Sequence, residues 1–194
     1  MGTMDYKGDA YYTGLVLSGD TSAFTFLVDR HKDHAFNLAI KVCGNYEEAE
    51  EIAQDAFMKA YRSLRGFKMK SSFSTWLYRI VYNTAITVVR SRKNRVLSLE
   101  EFPADFSDFA GSGQCEEEEL EEYRRSVVNF ALQKLVDDDR AIITLFYYED
   151  LSVEEISEIT SISKANVKTR LFRARQKMHE IIVKTEKKNL IFNE

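Results

Sequence analysis

Residues 151–178 restrict the fold of this chain more than any other stretch. Two short amphipathic segments lie there, Leu151 to Ile159 and Ser163 to Met178, separated by Thr160-Ser161-Ile162. Ser152 with Glu155 three positions on has the spacing of a capping box, in which a hydroxyl and a carboxylate satisfy the free N–H groups at a helix start. Leu151 and Ile156 stand at hydrophobic-staple spacing around it, and Ile162 and Val167 repeat that spacing around Ser163. Two short capped helices with a tight turn between them predict a helix-turn-helix. The turn has no glycine, so a left-handed backbone at Ser161 is expected to cost about 1 kcal/mol. The second helix carries Lys164, Lys168, Arg170, Arg173, Arg175 and Lys177, with no acid before Met178. A helix that lies against phosphates has this composition.

The rest of the chain is also helical in pattern. Eight glycines and one proline in 194 residues are too few for a strand-and-turn architecture. A first helix is expected from near Asp20, with Phe24, Leu27, Val28, His31, Ala35, Leu38, Ala39 and Val42 inward, and Gly44 stopping it. Asn45 caps a second, with Glu48 at the capping-box position and Ala49, Ile52, Ala53, Ala56, Phe57, Ala60, Tyr61 and Leu64 buried. A third, roughly Phe73 to Arg92, buries Phe73, Trp76, Leu77, Ile80, Thr84 and Val88. Its other face presents Arg79, Asn83, Ile86 and Arg90. A fourth helix starts in the run Glu116–Glu119 and buries Leu120, Val127, Val128, Ala131 and Leu135. A fifth follows Asp137-Asp138-Asp139 and buries Ile142, Leu145 and Phe146, with Tyr148 a further candidate. The tail after Thr185 is expected to fray.

The fold class is therefore all-α: a helical domain over 1–94, an acidic flexible linker over 95–119, and a second helical domain over 120–194 that contains the helix-turn-helix. The linker holds the only proline and the Gly111-Ser112-Gly113 tripeptide.

The net charge of −4 conceals a segregation. Ala56 to Leu99 contains ten basic residues and no acid, and Glu100 to Glu122 contains ten acids and no base. Two cationic zones in an acidic chain imply contact with nucleic acid at two places. Two cysteines without CxxC spacing, no signal peptide and no apolar run near 18 residues point to a reduced cytoplasmic protein without membrane insertion. His31 and His34 are too few for a metal site. With no phosphate-cradling Gly-Lys-Ser/Thr motif and no nucleophile elbow, the chain does not read as an enzyme, and no cofactor or small-molecule substrate is expected.

If Val167, Leu171, Ala174 and Met178 face the core, then Lys164, Lys168, Thr169, Phe172, Arg173 and Gln176 face outward. Cations there can pair with guanine edges, and Thr or Phe can meet a thymine methyl.

Two stretches resemble a known family: Tyr46 to Tyr61, leading through the loop to Phe73-Ser-Thr-Trp-Leu-Tyr-Arg-Ile-Val-Tyr-Asn-Thr84, and Leu151 to Met178, above all Val167-Lys-Thr-Arg-Leu-Phe-Arg-Ala-Arg175. In this order, with an acidic linker between them, they are similar to the extracytoplasmic-function (ECF) sigma factors of bacterial RNA polymerase, in the sigma-70 family. The resemblance implies a non-enzymatic subunit that binds core RNA polymerase and promoter DNA and is held by an anti-sigma factor. It implies that Lys164, Lys168, Thr169, Phe172, Arg173 and Gln176 serve the −35 element. Lys68, Lys70, Arg79, Asn83 and Arg90 would serve the −10 strand, with the loop from Gly66 to Ser72 capturing an unstacked base. Glu51, Gln54, Asp55 and Met58 would dock on the polymerase. The resemblance further implies that the acidic linker threads the RNA-exit path.

The rival reading is a stand-alone helix-turn-helix regulator that binds operator DNA without polymerase. It explains residues 120–180 but leaves the basic loop and aromatic-rich third helix of the first domain without a purpose.

Overall fold

The computed structural model describes residues 7–96 and 116–192, and every regular element among them is helical. Helices α1 (Asp9–Leu17), α2 (Phe24–Cys43), α3 (Tyr46–Ser63) and α4 (Phe73–Val96) make an N-terminal module. Helices α5 (Glu116–Gln133), α6 (Asp137–Tyr147), α7 (Val153–Thr160) and α8 (Lys164–Phe192) make a C-terminal one. The expected acidic linker lies outside the described residues from 97 to 115, as do Cys115 and Met1–Met4.

Local chemistry sets the helix ends. Helix α2 stops where Gly44 takes a left-handed turn at φ 73°, which a residue without Cβ adopts freely. The Asn45 side chain then accepts the Glu48 N–H at 2.9 Å and starts α3. Alanines at 49, 53, 56 and 60 let α3 lie close to its neighbours, and with Leu27, Leu38, Val42, Ile52, Leu77 and Val81 they build the N-terminal core. Tyr61, expected in this stripe, is exposed.

Helix α1 precedes the expected start near Asp20. It has no side-chain cap and carries Gly14, so no local signal marks it. Tertiary contacts hold it: Asp9 pairs with Arg30 and lies 2.9 Å from His31 Nε2, and the Tyr12 ring stacks on Phe26.

Two further boundaries and one buried stripe differ from the sequence expectation. Helix α6 begins at Asp137, so the three aspartates form its first turn, where they complement the positive end of the helix dipole. In α5, Val127 and Ala131 are buried, but Leu120 and Val128, expected inward, are exposed, as is Tyr148 at the end of α6. Helix α8 continues past Thr185 to Phe192.

The two modules pack directly on each other. Helix α4 lies between α2 and α3 on one side and α6 and α7 on the other, and α2 also touches α6. One apolar core runs through both, from Leu38 and Leu77 to Leu145, Ile156, Ile159 and Leu171. This is why Ile86, expected to face outward, is buried, as are Tyr78, Tyr82 and Val89. Trp76, Ile80 and Val88 are only partly buried.

Candidate nucleic-acid interface

The helix-turn-helix is built by its predicted caps. Ser152 Oγ accepts the Glu155 N–H at 3.2 Å, and Glu155 returns an oxygen to the Ser152 N–H at 3.0 Å. That N–H bond holds the Glu155 carboxyl below the usual carboxylate range. Ser161 closes α7 in the left-handed region at φ 60°, ψ 28°. Ser163 Oγ accepts the Asn166 N–H at the start of α8.

On α8, Val167, Leu171 and Ala174 are buried and Met178 partly so, and Lys164, Lys168, Thr169, Phe172, Arg173 and Gln176 are all exposed. Phe172 keeps 59% of its surface in water. Thr169 Oγ1 donates to the Ala165 carbonyl. Lys164 is tied to Glu154 at 2.9 Å, and this bond lowers the Glu154 pKa. Arg170 departs from the phosphate-facing expectation: it turns to Asp139 at 3.3 Å and Asp138 at 3.6 Å. Arg175 lies over the Phe146 and Tyr147 rings.

On α4, the exposed residues Arg79, Asn83, Thr87 and Arg90 follow one another in steps of four, four and three and form a narrow strip. Ile86 is absent from it. Arg79 Nη2 lies 3.2 Å from Ser161 Oγ, and Arg90 Nη2 lies 3.2 Å from Asp138 Oδ1. In the preceding loop Lys68 and Lys70 are exposed, and Met69 between them is left-handed at φ 51°. Phe67 is stacked on Trp76 with centroids 4.9 Å apart and also meets Phe73, so its ring closes the core beneath the loop.

On α3, Glu51, Gln54, Asp55 and Met58 are exposed along one face, Met58 by 50%. Asp55 pairs with Lys59 one turn on.

The sequence pattern did not single out a row beside the α4 strip. Thr75 Oγ1 donates to Glu155 Oε1 at 3.3 Å, Tyr78 OH to Glu149 Oε2 at 2.9 Å and Tyr82 OH to Asp138 Oδ1 at 3.3 Å. Burial and the adjacent carboxylates push the Tyr82 phenol up to about 12 and the Tyr78 phenol higher still. Tyrosines one turn apart on an apolar helix read as core, and only the partner module reveals what their hydroxyls meet. His31 is buried beside Asp9, as its place on the α2 stripe predicts. Among the described residues no group of acids, histidines or cysteines could hold a metal, and no helix is long and apolar enough to cross a membrane.

Comparison with known proteins bears on both modules. The family model for Sigma-70 region 2 matches residues 27–95, and that for Sigma-70, region 4 matches residues 119–178. The ECF RNA polymerase sigma factor SigW of Bacillus subtilis is 36% identical over 171 residues, covering 85% of this chain and 91% of its own. The ECF RNA polymerase sigma-E factor of Escherichia coli is 34% identical over 167 residues, covering 83% and 87%. Among solved structures, CnrH in complex with the cytosolic domain of CnrY has a TM-score of 0.66 at 24% identity, covering 91% of this chain and 97% of that one. RpoE in complex with the anti-sigma factor NepR from Bartonella quintana has a TM-score of 0.65 at 24% identity, covering 82% and 96%. These two likenesses speak to the fold. With both sigma-70 regions matched in order, and relatives of this identity aligned along most of their length, the chain belongs to the ECF sigma factors of the sigma-70 family.

Proposed function

We propose that this sigma factor divides promoter recognition between its modules, with residues 1–94 serving the −10 element and polymerase docking, 95–119 a tether, and 120–194 the −35 element. The observation that carries this reading is a pair of exposed cation-bearing helical rows on different modules of one chain. In the C-terminal row, Lys164, Lys168 and Arg173 neutralise phosphates or pair with guanine, Thr169 and Phe172 meet thymine methyls, and Gln176 supplies an amide. In the N-terminal row, Arg79, Asn83 and Arg90 follow the −10 strand, and Lys68 and Lys70 hold its backbone where a base leaves the stack. Glu51, Gln54, Asp55 and Met58 offer core polymerase acids beside a flexible apolar contact.

The chain makes and breaks no covalent bond in this role; it lends sequence recognition to the polymerase, needs no cofactor and works in the cytoplasm. An anti-sigma factor is its expected inhibitor, as the Bartonella quintana relative was solved with one. The test is co-purification with core polymerase followed by run-off transcription. Formation of a holoenzyme that starts at discrete promoters is expected. Sequence-specific duplex binding without polymerase, and no holoenzyme, would establish the stand-alone regulator instead.

A further inference from the structure

We propose that the surface made by the end of α3, the 3-10 turn Leu64–Gly66 and α1 takes single-stranded DNA where it leaves the loop of Lys68 and Lys70. The strand followed along α4 would then continue onto rings and cations beyond the unstacked base. The proposal rests on the −10 role given above to α4 and the loop, and adds a second contact for the same strand.

Helix α3 changes sign along its length. Its first half carries Glu47, Glu48, Glu50, Glu51 and Asp55, and from Ala56 onward no acid occurs before Glu100. Arg62 and Arg65 belong to that basic stretch but to neither row described above. Both are exposed, and neither meets a carboxylate among the described residues. Arg90 and Arg92, by contrast, are paired with Asp138 and Glu48. Guanidinium groups without a counter-charge, a few residues from Lys68 and Lys70, suit phosphate oxygens. A partner that meets Glu51 and Asp55 needs the opposite charge from one that meets Arg62 and Arg65, so the two ends of α3 serve different partners.

Rings stand among these cations. Tyr61 is exposed, directly before Arg62 and four positions before Arg65, with its ring braced against Phe24 at 5.1 Å. Helix α1 packs on both α2 and the 3-10 turn. It brings in the exposed Tyr11, with Lys7 Nζ 4.2 Å from the ring centroid, and Tyr12, stacked on the exposed Phe26. The only acid of α1, Asp9, is taken by Arg30 and His31. Exposed rings interleaved with cations bind a single strand: bases stack on the rings and the cations follow the backbone. Helix α1 lies before residue 27, where the match to Sigma-70 region 2 begins, so its rings are an addition to that region.

The loop joins the two surfaces. Tyr61, Arg62 and Arg65 precede it in the chain, and Arg79, Asn83 and Arg90 follow it on α4. A strand that gives up one base at the loop therefore has a cationic surface on either side.

Holoenzyme assembled from the full-length chain and core polymerase is titrated with two single-stranded DNAs. One spans the −10 element alone, and the other is extended by about six nucleotides at both ends, within the span such surfaces cover. R62Q/R65Q should bind the short strand as wild type does and the long strand more weakly. Between about 50 and 200 mM salt, wild type should lose about sevenfold more affinity for the long strand than this variant, the effect of two phosphate contacts. Tyr61→Leu keeps apolar bulk against Phe24 and should weaken long-strand binding about fivefold or more, as for one lost stacked base. Equal long-strand binding by wild type and R62Q/R65Q at every salt concentration overturns the proposal, and so does an equal loss on both strands. Weaker assembly of R62Q/R65Q with core polymerase, with DNA binding per assembled holoenzyme unchanged, overturns it in favour of a polymerase contact. Asn83→Ala tests α4 separately: if it binds the short strand as wild type does, the α4 reading fails, and a long-strand loss in R62Q/R65Q still stands. Failure of wild type to bind either strand overturns both.

Discussion

Arg140 of α6 donates from Nη1 to the Val42 carbonyl oxygen at the end of α2, 2.8 Å away and in the other module. Its Nη2 reaches the carbonyls of Gln133 and Leu135 at 3.2 and 3.1 Å, and Arg92 of α4 takes the neighbouring Cys43 carbonyl at 3.1 Å. Two arginines thereby satisfy carbonyls that the last turn of α2 leaves without helical partners. Burial pushes the Arg140 pKa down, with Asp137 opposing. Arg140→Met should lower stability by about 1–3 kcal/mol for each buried carbonyl left unpaired. Arg140→Lys, which lacks the planar fork, should recover only part. Urea midpoints read this, and a Met variant as stable as wild type would show that water replaces the guanidinium.

His31 gives the fold an acid limit. Its ring is buried, and burial pulls its pKa below 6.5 although Asp9 pulls the other way, with Arg30 and His34 adding to the lowering. As pH falls through 6.5 the unfolded chain takes the proton first, so it binds more protons than the folded chain and stability declines. Denaturant melts should show this decline below pH 6.5, and His31→Gln should flatten it. An equal slope in the variant would assign it to other groups.

Ser161 holds the helix-turn-helix turn at φ 60°. Ser161→Gly should raise stability by up to ~1 kcal/mol by removing the Cβ clash, less whatever the freer unfolded chain takes back. Ser161→Val should lower it by at least a similar amount, because a branched Cβ fits this region worst. Thermal melts of the pair decide it; the opposite order would mean that the turn relaxes.

The recognition role proposed for Phe172 can be tested apart from folding. As an exposed ring it should leave stability within about 0.5 kcal/mol when changed to Ala. Transcription that depends on the upstream element should fall by the equivalent of ~1–3 kcal/mol, as for one lost base-pair contact. A large drop in melting temperature with normal promoter use would place the ring in packing instead.

The elements that carry their own local signals were legible in the sequence. Gly44, Asn45, Ser152 with Glu155 and Ser163 act within one turn, and their helices start or stop where those signals stand. The outward row of α8 followed from the 3.6-residue period alone. What escaped depends on distant partners. Helix α1 is held by Asp9 reaching α2, and Ile86 is buried because α4 has helices on two sides. Arg170 lies on α8 among outward cations, but aspartates 31 and 32 positions earlier turn it inward. No single-helix pattern encodes the pairing of Tyr78 with Glu149 across 71 positions.

A shared interior has a practical corollary for anyone who would study the halves in isolation. Cutting between α4 and α5 would wet Tyr78, Tyr82 and Ile86 on one fragment and leave greasy patches around Leu145 and Ile156 on the other. Such pieces should clump or cling to unrelated surfaces, and solubility tags or mild detergent would be prudent before any footprint obtained with them is believed.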